Sequence, residues 1–357
     1  MTTSRELYPF SCTFSPQIPE LLVKLGCSIA ITTYQAGKLI FISPLDENRL
    51  SMLPRSFNKP MGFEADTEKM ILATRDELIY FENSRDLAIH YPNKPGSYDA
   101  LYVPRTTFYT GQVDLHDIAF GKAGIWAVNT SFSCICQVTG NYNFIPFWKP
   151  PFVSQLASED RCHLNGLVMQ NGHPKFVTML GQSDRPQGWR EDILTGGLLM
   201  DTERNEIVLG GLPMPHSPMF YQGNLYMLLS ATGEIIKVDP EHRTYEVIRK
   251  LDGFCRGMDI FKDYMFVGMS KLRKSSSTFA KLPFAETANN CGIRIIHLPT
   301  GALVGEITYQ TSVDEIYGLK ILGSTLRPNI LNTDNPVFRY SIAIPGSTFW
   351  GNPEEGK

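Results

Sequence analysis

No run of eighteen apolar residues occurs anywhere in this 357-residue chain, so a membrane-spanning helix is not expected. The opening MTTSRELYPFSCTF has neither a basic n-region nor a continuous apolar h-region, and the chain reads as cytoplasmic rather than exported. Positive charge is not massed either. The 33 Lys and Arg face 36 Asp and Glu, for a net charge of -3, and the largest basic group is Lys271-Leu272-Arg273-Lys274. That balance lacks the footprint of a nucleic-acid binder, and nothing points to a membrane surface. Cysteine is sparse and scattered: Cys12, Cys27, Cys134, Cys136, Cys162, Cys255 and Cys291 are odd in number, as reduced thiols of a cytoplasmic protein would be. Cys134-x-Cys136 puts two thiols on one strand face, but no second pair completes a metal site, so core packing is expected. Also missing are a G-x-S-x-G elbow, a glycine-rich phosphate loop and an H-E-x-x-H helix.

What is present is a repeat. Leu212 to Asp239, LPMPHSPMFYQGNLYMLLSATGEIIKVD, reads as three short strands joined by turns at Gln222-Gly223-Asn224 and Thr232-Gly233. TYEVIRKL from Thr244 supplies a fourth. The same grammar gives MGFEAD, MILATR, ELIYFE and LAIHYP from Met61 to Pro92, and HDIAF, GIWAVN, SCICQV and YNFIPF from His116 to Phe147. A third set runs LNGLVM, KFVTML, GGLLMD and EIVLGG, with a polar insertion over 181–195. A later set runs CRGMDIF, YMFVGM, CGIRIIHL and ALVGEITY, with an insertion over 271–290.

Two fragments remain. After a lead-in over residues 1–26, with helical turns at Ile18 to Leu25, the N-terminal region supplies CSIAITT, KLIFIS and a strand from Arg49; IYGLKIL from Ile316 supplies an orphan first strand. Joined, they complete a blade. The fold expected is all-β, one six-bladed β-propeller domain over 1–357 closed by pairing N- and C-terminal strands, with no exposed sheet edge left by an open ring.

Aligning the first strands on Gly62, Asp117, Gly166, Ser217, Gly257 and Gly318 leaves apolar residues one and three positions downstream in every blade, the face expected to pack blade on blade. One position upstream stand Met61, His116, Asn165, His216, Arg256 and Tyr317; three upstream stand Lys59, Asp114, His163, Met214, Phe254 and Glu315. These side chains are expected to ring one mouth of the central channel. A divalent transition metal (Zn, Fe, Mn or Cu) held by His116, His163 and His216, with Glu315 or Asp114 as fourth ligand or base, would suit that chemistry. Asp114, Arg256, Glu315 and Tyr317 would serve catalysis, the guanidinium and phenol orienting an anionic or carbonyl-bearing substrate. Asn165 and, from the first insertion, Trp189 and Arg190 would bind the substrate, the insertion closing over the mouth. The expected activity is a metal-dependent hydrolase or lyase acting on a small molecule or peptide. The alternatives are a non-enzymatic propeller binding a ligand or protein partner through its rim and loops, and a metal-free enzyme using Asp114, Glu315 and histidine as acid and base.

TTYQAGKL at Thr32, HLNGLVM at His163, GWRED at Gly188, MPHSP at Met214 and FCRGMDIF at Phe254 resemble a bacterial family of conserved hypothetical proteins known only as a domain of unknown function. The resemblance spans nearly the whole chain and implies no activity. The six-blade reading is more distantly similar to the gluconolactonase, paraoxonase and strictosidine-synthase group, in which a divalent cation often sits on the axis. Their oxygen-rich calcium shell is not matched by this histidine-rich ring, so their hydrolytic activities are not carried over.

Overall fold

The computed structural model describes residues 8–92, 94–272, 279, 282–286 and 288–351. Most of the basic stretch 271–278 lies outside them. The chain opens with β1 (Cys12–Phe14) and α1 (Ile18–Leu25), a helix with Pro19 in its first turn, ended by Gly26 in the left-handed conformation that glycine adopts freely.

Blade one takes β2 (Cys27–Thr33), β3 (Lys38–Pro44) and β4 (Leu50–Ser56). Blade two takes β5 (Phe63–Ala65), β6 (Lys69–Ala73), β7 (Glu77–Asn83) and, after α2 (Arg85–Ile89), β8 (Ala100–Tyr109). The expected strand LAIHYP is thus corrected to a helix. Ser84 caps it by accepting from the Leu87 amide, Leu87 and Ala88 are buried, and the apolar LYV run at 101–103 takes the outer strand position instead.

Blade three is β9 (Leu115–Gly121), β10 (Gly124–Asn129), β11 (Cys134–Val138) and β12 (Ile145–Trp148). Blade four is β13 (Leu164–Gln170), β14 (His173–Met179), β15 (Gly197–Asp201) and β16 (Glu206–Leu212). Blade five is β17 (Pro215–Tyr221), β18 (Asn224–Leu229), β19 (Glu234–Asp239) and β20 (Thr244–Lys250). Blade six is β21 (Phe254–Phe261), β22 (Tyr264–Ser270), β23 (Cys291–His297) and β24 (Ala302–Tyr309), with β1 added outside β24.

β25 (Gly318–Gly323) then pairs antiparallel with β2 from Cys27↔Gly323 to Thr32↔Gly318, so the last inner strand belongs to the first blade and the ring closes. β26 (Pro328–Ile330) lies parallel on the outer edge of β8. β27 (Ser341–Ile344) and β28 (Ser347–Trp350) form a separate hairpin. The architecture is a six-bladed β-propeller.

Every blade buries both faces. Phe41, Leu39 and Ala30 of blade one meet Phe63, Met70 and Leu72 of blade two; Trp126 and Val128 of blade three meet Leu164, Leu167 and Val177 of blade four. Where blade six meets blade one, α1 lays Ile18 and Leu22 on the seam. Each fully buried large aliphatic or aromatic chain there contributes about 1.5–3 kcal/mol. Cys134 and Cys136 pack between blades two and three, as expected of core residues, and all seven cysteines are unpaired.

Hydroxyls tie the blades near the axis. At or just after a second strand, Thr32 donates to the Met61 carbonyl (2.7 Å), Thr130 to Leu164 (2.5 Å), Ser230 to Cys255 (2.6 Å) and Ser270 to Ile316 (3.2 Å). Each reaches the head of the next blade's inner strand. No helix among the described residues is long and apolar enough to cross a membrane.

Candidate axial site

A bulge at the head of the inner strands builds the site. In β9 the register passes from Leu115↔Asn129 to Asp117↔Val128 and leaves His116 unpaired; in β13 it passes over Asn165 between Leu164↔Met179 and Gly166↔Thr178. In β17 and β21 the shifts fall at Ser217-Pro218 and Arg256-Gly257. The extra residue breaks the alternation of the strand and re-aims its neighbours. Lys59, Asp114, His163 and Met214, three positions upstream of the aligned residue, also share a left-handed φ of 49° to 55°. This corrects the simple period-two expectation that both upstream sets share the face of the apolar downstream residues. His116, Asn165, His216, Arg256 and Tyr317 line the channel together with Ile118, Leu167, Met258 and Leu319, which also pack between blades, whereas none of the residues three positions upstream lines it.

Small residues sit where the inner strands crowd. A Cβ on Gly62 would lie 2.6 Å from the His116 carbonyl oxygen, and one on Gly166 would lie 2.3 Å from Pro218 Cδ.

At the upstream level of the channel His116 and His216 line the axial cavity, and His163 stands beside them behind the cap. The rings of His116 and His163 meet edge to face with centroids 4.8 Å apart, and His116 stands 5.5 Å from Tyr317. His216 Nδ1 lies 3.0 Å from the Met214 carbonyl and 2.9 Å from Ser230 Oγ, whose own proton goes to Cys255. His116 Nδ1 lies 3.3 Å from the Asp114 carbonyl, and His163 Nδ1 lies 2.9 Å from Asp160 Oδ2. All three Nδ1 atoms therefore face acceptors and donate to them, which leaves the Nε2 of His116 and of His216 with a lone pair. No hydrogen bond among the described residues occupies those Nε2 atoms.

Burial holds the His116 imidazole down to about 4, with His163 and Arg256 adding to the effect against the pull of Asp114. Burial, then Arg256, holds His216 well below its ordinary value. Both rings are neutral at pH 7.

Arg256 places its guanidinium carbon 3.5 Å from the centre of the Tyr317 ring. Burial holds the Tyr317 phenol well above its ordinary value, although the nearby guanidinium opposes that shift. Its Oη has no hydrogen bond within the usual geometric limits, although the Arg256 guanidinium lies close enough to interact with it. Asn165 Oδ1 accepts from Thr178 at 2.6 Å, but its Nδ2 has no partner. Tyr317 and Asn165 are 7% and 5% exposed, so two polar groups are buried unsatisfied beside a guanidinium. Each such group costs about 1–3 kcal/mol.

The cavity of about 250 Å³ that these residues share runs down the axis to a second level, where Glu64, Asp117 and Lys320 line it. Lys320 Nζ pairs with Glu64 at 2.8 Å. Burial pulls that ammonium down, but Glu64 and Asp259 more than offset the effect and hold it above its ordinary value. Asp117 accepts from the Ile118 and Leu167 amides, and Asp259 from Ile260 and Ile321 at 2.9 and 2.7 Å, each carboxylate reaching into the next blade. Burial pushes both up to about 6 in spite of those bonds and Lys320.

On the upstream side the first insertion does cover the mouth. Trp189, in a 3₁₀ turn (Gly188–Glu191), lies 4.2 Å from the His163 ring and donates to Asp160 at 2.9 Å. Leu272, Phe279 and Leu282 of the second insertion join the apolar cluster around it. Arg161 anchors the loop through Asp184 at 2.6 Å. Behind this cap a space of about 60 Å³ is lined by His163, His216, Arg256 and Glu315.

The expected residues therefore divide. His116, His163, His216, Asn165, Arg256 and Tyr317 come together, with Trp189 and Glu315 at the cap. Asp114 is half exposed, its carboxylate 3.6 Å from His116 Nδ1 and outside the cavity lining. Arg190 is exposed on the far side of Trp189, its guanidinium carbon 4.3 Å from that ring. Neighbours in a regular strand point to opposite faces, but the bulge interrupts that alternation, so Ser217 shares the cavity with His216, and its Oγ accepts from the Gly257 amide. Among the described residues no three His, Cys, Asp or Glu side chains stand as a metal-ligand group. Asp160, Ser230, Asp117, Asp259, Glu64 and Lys320 escaped sequence reasoning; the signal for Ser230 was a Ser or Thr recurring at the ends of second strands.

No curated protein matches the sequence. Among solved structures, similarity extends to the crystal structure of a nidogen/laminin complex, with 10% identity, a TM-score of 0.48, and coverage of 84% of this chain and 99% of that one. It extends also to the Neurospora crassa Pan2 WD40 domain, with 14% identity, a TM-score of 0.39, and coverage of 69% and 64%. The family model described as "Domain of unknown function (DUF4915)" matches residues 16–331, and the chain belongs to that family.

Proposed function

We propose that the axial cavity binds a small molecule through a carboxylate or similar oxyanion and carries out proton-transfer chemistry on it, as a hydrolase or lyase. The observation that carries this reading is the Arg256 guanidinium in a cavity lined also by Asn165 and Tyr317, whose Nδ2 and Oη are buried without a hydrogen bond of usual geometry. Buried donors are normally satisfied, and a ligand oxyanion is what these three would satisfy together. His116 and His216 supply acceptors at Nε2 next to it.

Burial and the neighbouring guanidinium suppress their protonation; a bound anion offsets Arg256 and moves both rings toward the range in which they exchange protons near neutral pH. Titration calorimetry with hexanoate at pH 6, in two buffers of different ionisation enthalpy, tests the reading. Saturable binding with net proton uptake is expected, lost in Arg256→Met; no binding to the unaltered protein would remove it.

One observation favours a second reading, a divalent transition metal on the histidines: each Nδ1 is held by an oxygen, the arrangement that orients imidazoles for metal through Nε2. Since no ligand group is preformed among the described residues, binding requires the rings to turn inward. Elemental analysis of protein equilibrated with Zn, Mn, Fe or Cu decides it, a stoichiometric ion lost in His216→Ala supporting this reading and none opposing it. Seven unpaired thiols fit a reducing compartment such as the cytoplasm.

A further inference from the structure

The cavity has two chemically different ends, and that polarity narrows what it accepts. At its upstream level the one fixed charge lining it is the Arg256 guanidinium, beside neutral imidazoles and the orphaned donors of Asn165 and Tyr317. At its downstream level Lys320 answers only one of three carboxylates. Glu64 pairs with it at 2.8 Å, while Asp117 lines the same cavity and Asp259 stands close enough to raise the Lys320 pKa. Counted as ionised, Glu64, Asp117 and Asp259 against Lys320 leave that end negative. Both Asp carboxylates accept backbone N–H groups, which favour the ionised form.

We infer that the ligand is dipolar: an ω-amino carboxylate, or an amino acid with a cationic side chain, lying along the axis with its carboxylate on Arg256, Asn165 and Tyr317 and its ammonium at Glu64 and Asp117. This rests on the oxyanion reading and adds the charge and length of the other end. Tyr317 and Lys320, like Arg256 and Asp259, stand three positions apart on one inner strand, about 10 Å along an extended chain. A cavity of about 250 Å³ has room for roughly eight water-sized volumes of about 30 Å³ each. Both measures suit a chain of amino-acid size with its charges at opposite ends. A ligand with two carboxylates would set one of them against the acidic end.

The full-length protein is titrated calorimetrically with hexanoate, 6-aminohexanoate and adipate. The expected order is 6-aminohexanoate about ten-fold tighter than hexanoate, with adipate weakest, the size of effect a close charge pair gives. In Glu64→Gln, or in Asp117→Asn should the first fail to fold, the advantage of the amino group should shrink to about two-fold or less. Hexanoate binding as tightly as 6-aminohexanoate to the unaltered protein overturns this inference and leaves the oxyanion reading standing. If none of the three binds, both fall.

Discussion

The two levels of the axial channel are built on the inner strands of the same ring, and they treat polar groups in opposite ways. Downstream, each carboxylate accepts backbone amides from its own and the next blade, and Lys320 is paired. Upstream, Asn165 Nδ2 and Tyr317 Oη are buried without partners, and the three Nε2 atoms make no hydrogen bond among the described residues. A polar layer bonded largely from within, by backbone amides, stabilises and closes a ring even where its carboxylates outnumber its cation. One left unanswered stores free energy that only a ligand can recover.

Exchanging one cation at each level should separate these roles. Lys320→Met leaves Glu64, Asp117 and Asp259 facing one another and should lower unfolding free energy by about 3 kcal/mol in urea titration. Arg256→Met should change stability by less than about 1 kcal/mol and yet weaken carboxylate binding about 100-fold, with Arg256→Lys restoring only part of it. Equal stability losses in the two would erase the contrast.

Trading a phenol for a phenyl sharpens it further. Tyr317→Phe deletes an orphaned hydroxyl, so the protein should gain about 1 kcal/mol while losing about ten-fold in hexanoate affinity. A loss of stability would mean that the Oη is satisfied in the free protein. Ser230→Ala, which breaks a tie to Cys255 and a contact to His216, should instead lose about 1–2 kcal/mol.

The smallest expected effect is in acid. His116 and His216 have folded values below the ordinary 6.5, so their unfolded forms take up protons first and stability falls as pH drops below 6.5. Asp117 and Asp259 have folded values raised from 3.8 to about 6, so the folded state holds protons more tightly and stability falls as pH rises through that window. Between about pH 4 and 6 the two levels oppose each other. Asp117→Asn with Asp259→Asn should make stability climb more steeply with pH over that interval. An unchanged slope would break the assignment.

The blades, their closure through Ile316 to Leu322 and the gathering of His116, Asn165, His216, Arg256 and Tyr317 were legible because repeats can be compared with one another. Apolar residues at equivalent positions show the shared face, and the odd polar ones show what that face does not need. The bulge was not legible, since an added residue looks like any other in an alternating strand; it appears only as an unpaired His116 in the ladder with β10. The Lys320 level was missed for a related reason. Glu64, Asp259 and Lys320 share the position two residues downstream of the aligned one, but it lies between the two apolar positions that define the packed face, and Asp117 occupies the aligned position itself, so the level did not stand out. The α2 segment misled because LAIHYP alternates well enough for a strand, while its Ser84 cap and the LYV run beyond it decide otherwise.

The most direct test is a crystal of the protein grown with hexanoate. The account predicts a carboxylate on the axis within hydrogen-bonding distance of Arg256, Asn165 Nδ2 and Tyr317 Oη, with its chain pointing toward Lys320. Those three donors bonded to one another, with hexanoate elsewhere or absent, would contradict it.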